Sequence, residues 1–422
     1  MDIGNHIFID YLRKQIMKIS SPPGFKLLSL VMVFFWLSIS GCPLPPADIT
    51  PSSGDRDLAQ LLERMRIKAK QTALAAAVVI DGKIKAAAAV GTRKYGTKNW
   101  VTVDDRFIIA SCGKAFTATL AAIMVEEGRL NWDTTIKDVF PELKMRAEYE
   151  NMNLQQLLSH RAGLIKSFVA DLDSNRTYTS TAGRLVYLEQ LVQTKPIHPP
   201  GTVMFYSNAG YILAGVMMEK ISDQEFTDLM SKKVFKPLNL TTAGYGPPAK
   251  YSPTSQPWGH FWDKSSRSLK PVRTDDPHWI DPAGNVSLSI KDWARFIIGH
   301  MPSDQKDSTA FLNSRILKKL HTPVDSVNWK YDENYLKFWN NEIGWPLTSA
   351  NYALGWFVTK AKDGETVLNH AGTSRAFQAE VYLSPDNKNA ILLATNARMG
   401  HIHLYRTAIK IKEKYALKID LP

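Results

Sequence analysis

Two runs of small apolar residues, "TALAAAVVI" and "KIKAAAAVG", flank Asp81-Gly82. An Asp-Gly pair between such runs predicts a β-hairpin over Thr72 to Gly91. From Ser111 the period changes: Phe116, Leu120, Ile123 and Met124 recur at three and four, and Gly128 closes the run, the pattern of a helix with a C-terminal glycine. Further helical patterns cover Leu154 to His160, Gly183 to Gln193, Ala209 to Ile221, Gln224 to Val234, Ile290 to Gly299 and Asn313 to Leu320. Residues 246 to 284 are rich in Pro, Gly, Ser and Trp and read as a long surface loop. Strand patterns return at 353 to 359, 376 to 384 and 390 to 396, followed by a basic helix after Gly400. Strands at both ends with helices between them predict an α+β fold: one antiparallel sheet built from both chain ends, flanked by helices, with a mostly helical part inserted at about 111–290.

The apolar run Leu27 to Ile39, 13 residues behind Lys18 and Lys26, suits the core of an export signal and is short of the ~20 needed to span a membrane. A buried helix is the alternative, which the Pro-rich "CPLPPADITPSSGD" after it disfavours. The expected organisation is a signal peptide over 1–41, with Met17 a second candidate start, a tether over 42–57, and a domain over 58–420. "ISGC", ending at Cys42, resembles a bacterial lipobox. That resemblance implies a lipid anchor on Cys42 and an exported, membrane-held protein, with simple signal cleavage nearby as the alternative.

The full chain of 422 residues carries a net charge of +12 and two cysteines, Cys42 and Cys112. Two cysteines exclude a disulfide framework and a four-cysteine zinc site. Removing 1–41 takes away two acids and four bases and leaves +10. No helix-turn-helix, zinc-finger or RNP-like pattern accompanies this charge, so a solvated surface facing anionic lipid or wall polymer is expected, not a nucleic-acid partner. H-E-x-x-H is absent, and His401-Ile-His403 falls on different helix faces, so no metal is expected. The sequence carries no mark of an oligomeric state.

Ser111 and Lys114 stand three apart at the head of an apolar helix. Serine needs a base within hydrogen-bond reach, and side chains at i and i+3 are neighbours. A lysine can be that base when burial lowers its pKa, which Ala115 and Phe116 permit. The S-x-x-K triplet alone is weak evidence, since Ser303 to Lys306 also fits it in a polar loop.

In its wider context the triplet resembles the serine beta-lactamase and penicillin-binding protein superfamily, in the class C-related branch. Ser111-Cys-Gly-Lys114 matches the nucleophile motif, Tyr206-Ser-Asn208 the Y-x-N motif, and His370-Ala-Gly372 the third motif, where many relatives carry H-x-G in place of K-T-G. "NLQQLLSHRAGL", "PPGTVMFYSNAGYILAGVMMEKIS", "FKPLNL" and "PAGNVSLSIKDWARF" match the flanking segments in order, over roughly 60 to 400. The resemblance implies a beta-lactamase/transpeptidase-like fold and a cofactor-free serine hydrolase. Ser111 would form an acyl-enzyme, and Lys114 and Tyr206 would share proton transfer, either being the base. Asn208 would orient the substrate and Lys114, and His370 and Gly372 would line the opposite wall. The backbone N–H groups of Ser111 and Thr373 would form the oxyanion hole.

Other readings fare worse on the residues. Tyr149 to Asn151 is a second Y-x-N without the flanks, and Cys112 points about 100° from Ser111 on a helix and reads as buried filler. Ser374 in "GTSRA" would need to enter a helix to be a nucleophile elbow, whereas 377 to 383 alternate as a strand. His370 lacks the fixed charge of a lysine, which disfavours an efficient beta-lactamase; Arg375 is a candidate to restore it, with a strand cap as the alternative. The expected activity is hydrolysis of an ester or D-amino-acid amide, with D-alanyl-D-alanine carboxypeptidase or class C-like beta-lactamase as alternatives. A penicillin-binding or wall-sensing protein on the same scaffold is the non-enzymatic one. The substrate would be a small molecule or a peptidoglycan fragment, selected by loops at 165–180, 246–284 and 327–352.

Overall fold

The computed structural model describes residues 52–165, 180–273, 278–302, 310–324, 350–360, 366–384, 386, 388–419 and 421. The signal segment, Cys42, most of the tether and residues 325–349, hence nearly all of the segment 327–352, lie outside them, as do 166–179 and Ser303 to Lys306. The main sheet has eight strands: β1 (Ser53–Gly54), β2 (Ala73–Ile80), β3 (Lys83–Gly91), β4 (Ala350–Tyr352), β5 (Phe357–Lys360), β6 (Thr366–Thr373), β7 (Gln378–Leu383) and β8 (Ala390–Thr395). They run in the order β1-β3-β2-β8-β7-β6-β5-β4, every neighbour antiparallel. The fold is thus α+β, with a sheet assembled from both ends of the chain.

The turn between β2 and β3 explains why Asp-Gly starts the fold. Asp81 and Gly82 both take positive φ, 50° and 66°, which the two-residue hairpin turn matching strand twist requires. Alternate residues of β2 then point to opposite faces. Ala73, Ala75, Ala77 and Val79 join the larger core beneath the inserted helices, and Leu74, Ala76 and Val78 join a second core. That second core is closed by helices α1 (Arg56–Lys68) and α5 (His401–Tyr415).

Between the sheet halves lie α2 (Lys114–Glu126), α3 (Asn208–Ser222) and α4 (Ile290–Ile298), with shorter helices at Leu154–Leu158, Ser180–Leu191 and Phe226–Met230. These match the apolar periodicities. The segment read as one long loop does not match. It contains an antiparallel hairpin, Gly259–Asp263 with Ser268–Val272, joined by parallel pairing to Ala397–Arg398. Trp258 just before these strands and Pro271 within the second mask the alternation, since a Pro inside a run reads as a break although edge strands tolerate it. The strand expected at 353–359 is shorter, because Gly355 turns at φ 86° and β5 begins only at Phe357.

The strand that lines the site, β6, had no clear pattern in "TVLNHAGT". Val367, Leu368, Asn369 and His370 are all buried, so period-two alternation is lost. The third motif therefore sits at the end of β6 itself. After Thr373 the chain turns, with Ser374 Oγ accepting from the N–H groups of Ala376 and Phe377, and enters β7. Ser374 opens no helix, which removes the elbow reading.

Candidate active site

Ser111 lies on a short 3-10 turn, Ala110–Gly113, that leads into α2. In such a turn, side chains at i and i+3 nearly eclipse, so the turn brings Ser111 and Lys114 together more directly than an α-helical start would. The entry is strained: Ala110 holds φ 47°, a conformation uncommon outside glycine and of the sort that persists at functional sites. It is fixed from two sides. Ile109 N–H donates to Val286 O at 3.0 Å, and Gly284 lies so close that a Cβ there would sit 2.8 Å from the Ala110 carbonyl. On the other side, a Cβ on Gly372 would come 2.1 Å from Ile109 O and 3.0 Å from Ser111 N. Only glycine lets β6 lie flush against the nucleophile turn.

Lys114 is fully buried and its ammonium has three acceptors: Ser111 Oγ at 3.2 Å, Asn208 Oδ1 at 2.8 Å and Ala283 O at 2.6 Å. None is a carboxylate. Burial therefore draws its pKa down to about 7. Tyr206 arrives from the strand-like approach to α3, and Lys114 Nζ stands 4.9 Å from its ring centroid. Burial pushes the Tyr206 phenol above its ordinary pKa, with the Ser111 hydroxyl nearby acting in the opposite direction. Ser111, Lys114, Tyr206 and Asn208, drawn from positions up to 97 residues apart in the sequence, meet at one point.

The opposite wall is β6. The His370 ring centroid is 6.3 Å from that of Tyr206, and its Nε2 lies 3.1 Å from the Tyr352 hydroxyl while Nδ1 lies 2.9 Å from Ala371 O. Burial, with Lys114 nearby, lowers its pKa to about 3, so this wall carries no positive charge. Arg375 is exposed on the turn beyond. Cys112 is buried on the far side of the turn, its thiol donating to His370 O at 3.4 Å, with a pKa raised well above normal by burial; it is filler, as expected. Tyr149 of the second Y-x-N is buried elsewhere, near Thr194.

Two participants carried no signal of their own in the sequence. Tyr352, at the end of the segment 327–352, is buried against His370. His160, part of a matched flank without a role, clamps both sides of Tyr206: its carbonyl accepts from Phe205 N–H at 2.8 Å and its Nδ1 from Ser207 N–H at 3.1 Å. Its ring lies 4.2 Å from the Tyr206 ring, and its own φ is 59°. Nothing in "SHRAG" itself marks this position; its left-handed backbone is visible only in the structure.

Known proteins share this fold. The chain is 24% identical over 342 residues to Protein flp of Staphylococcus aureus (strain COL), covering 77% of this chain and 59% of the relative, so it spans about three-fifths of that protein's length. Among solved structures, a D-alanine carboxypeptidase AmpC from Burkholderia cenocepacia superposes with a TM-score of 0.65 at 20% identity, covering 85% of this chain and 99% of the other. A D-amino acid amidase from Ochrobactrum anthropi SV3 does so with a TM-score of 0.66 at 17% identity, covering 85% and 98%. These likenesses establish the fold. The family model described as Beta-lactamase matches residues 58–408, most of the chain. With that match and the S-x-x-K, Y-x-N and H-x-G residues gathered around one buried lysine, the chain belongs to the Beta-lactamase family.

Proposed function

We propose that the protein is a serine hydrolase that forms an acyl-enzyme on Ser111 and acts on an ester or a D-amino-acid amide outside the cytoplasm, held to a membrane through a lipid on Cys42. The observation that carries this reading is Lys114: a buried amine with no carboxylate partner among the described residues costs stability and is best accounted for as a proton acceptor. The neutral amine takes the Ser111 proton as Oγ attacks the carbonyl carbon. The phenol of Tyr206, whose ionisation burial disfavours, passes a proton to the leaving alcohol or amine and takes back the proton held by the Lys114 ammonium, so that neither group is left with a net change. N–H groups of Ser111 and Thr373 hold the oxyanion, and water then attacks the ester with the same groups in reverse.

A fluorophosphonate probe is expected to label wild type and not Ser111→Ala, with a fluorescent penicillin labelling more weakly. In cells the protein should enter the detergent phase, and Cys42→Ala should leave it. Absence of Ser111-dependent label from either probe, with no turnover, would instead assign a binding or sensing role.

The clamp on Tyr206 gives a second test. His160→Ala is expected to lower kcat about 10²-fold with little change in KM, the penalty of a misplaced catalytic group. His160→Asn, which tolerates positive φ and offers an acceptor to Ser207 N–H, should recover much of it. Equal losses in both variants would show that the imidazole does something other than hold the backbone.

A further inference from the structure

The positive charge of the chain is not spread evenly. Residues 52–70 and 401–419, which carry α1 and α5, hold ten Lys or Arg against four Asp or Glu, a net +6 of the +10 expected for the chain from Cys42 onward. The inner stripes of the two helices, Leu58, Leu61 and Leu62 with Leu404, Ala408 and Ile411, close the second core. The outer stripes, Arg64, Ile67 and Lys68 with Arg406 and Lys410, are exposed.

The helices run antiparallel. At one end Lys414 Nζ lies 4.0 Å from Asp57 Oδ2, and at the other an open cleft of about 260 Å³ separates them. Half-buried Met65 and Ile409 and buried Ala69 form its apolar floor, and Lys68, Arg406 and Lys410 form its rim. The acids do little to neutralise this end. Asp55 and Asp57 belong to the other one, Glu63 is bonded to Arg66, and Glu413 holds only the Lys410 ammonium, at 2.6 Å. Amid these bases Ile67 is 58% exposed. A basic rim over an apolar floor, with an apolar side chain standing out beside it, is the pattern of a surface that lies on anionic lipid.

The covalent chain supplies the proximity. Cys42 precedes Ser52, the first described residue before α1, by ten positions, so a lipid on Cys42 is within about 35 Å of Ser52 even with the chain fully extended. That tether lets the face approach to within the ~8 Å over which exposed charges act at physiological salt. A wall polymer of repeating phosphates matches the charge equally well but leaves Ile67, Met65 and Ile409 in water, so a bilayer is the better fit.

We propose that the outer face of α1 and α5 docks on an anionic bilayer, with a lipid phosphate seated between Lys68, Arg406 and Lys410 and with Ile67 and the cleft floor against the apolar part of the interface. This rests on the membrane-held reading and adds an orientation to it. Ser111 opens α2, whose core lies on the other face of the sheet from α1 and α5, so a docked protein holds its nucleophile on the side away from the bilayer.

The test takes the full chain with vesicles of phosphatidylcholine, alone or mixed with phosphatidylglycerol, and follows the acylation of each lysine by peptide mass. Anionic vesicles are expected to slow Lys68, Lys70 and Lys410 about fivefold or more relative to neutral ones, to leave Lys236 and Lys264 nearly unchanged, and to lose this effect in about 0.5 M salt. Lys68→Glu with Arg406→Glu should abolish the slowing at Lys70 and Lys410 while Ser111-dependent fluorophosphonate labelling stays as in wild type. Lys68→Gln with Arg406→Gln, a gentler change to the helices, should reduce it to about twofold. Equal slowing on both kinds of vesicle, slowing that extends to Lys236 and Lys264, or slowing that survives charge reversal would overturn the inference. So would slowing by poly(glycerol phosphate) and not by vesicles, which would assign a wall polymer instead. The anchor is read separately, by partition into detergent. Partition that depends on Cys42 without anionic slowing removes this face alone, and anionic slowing in a protein that stays in the aqueous phase removes the anchor alone.

Discussion

Replacing Ser111 with alanine is expected to lower kcat/KM on a p-nitrophenyl ester by about 10⁴-fold or more while leaving the melting temperature nearly unchanged. The size follows from removing a nucleophile, which leaves only the background that binding and the oxyanion donors provide. The unchanged stability follows from the surroundings. Ser111 is partly exposed and small, and Lys114 keeps Asn208 Oδ1 and Ala283 O as acceptors when the hydroxyl is gone. Steady-state kinetics with a thermal melt on both proteins checks this. A variant that melts like wild type yet keeps more than about a hundredth of its activity would mean that another group is the nucleophile.

Why this serine could be singled out, while its neighbours at the site could not, is a matter of what each residue's role requires of the local sequence. The turn at Asp81-Gly82 and helices α2 and α3 are local structures, and their residues carry the periodicity or the φ preference that forms them. The Ser111–Lys114 pair is likewise local, three residues apart on one turn. Tyr206 and Asn208 were found through their segment, since "PPG" before them and the apolar helix after them set them apart from Tyr149 to Asn151. Strand β6 was hidden because both its faces are buried, and the hairpin at 259–272 because tryptophan and proline resemble loop composition. His160 and Tyr352 act through partners 47 and 18 positions away. Nothing in a window of sequence marks a histidine as the clamp of a tyrosine 46 residues on. In the sequence His401 reads only as half of a metal pair with His403, and the fold turns it to a threonine and a buried glutamate instead.

The buried lysine makes the second large prediction. Its pKa of about 7 means that kcat/KM should rise tenfold per unit as pH climbs toward 7 and level off above it, since only the neutral amine accepts the serine proton. Lys114→Met keeps the length of the side chain and removes the amine. The variant should lose about 10³-fold or more in kcat/KM, and whatever rate remains should lack the limb near pH 7. Stability carries an independent mark of the same group. The folded protein releases the Lys114 proton near pH 7, whereas the unfolded chain holds it until about 10.5. Between these values the unfolded state binds more protons, so folding stability rises with pH across that window and the full cost of the buried charge is felt below 7. Relative to Lys114→Met, wild type is therefore expected to gain stability from pH 7 to 10.5, by an amount on the order of a few kcal/mol. Denaturant unfolding of both proteins at a series of pH values measures it. Parallel curves would show that the amine is solvated and ordinary, and the argument that an unpaired buried lysine is maintained for its chemistry would lose its physical basis.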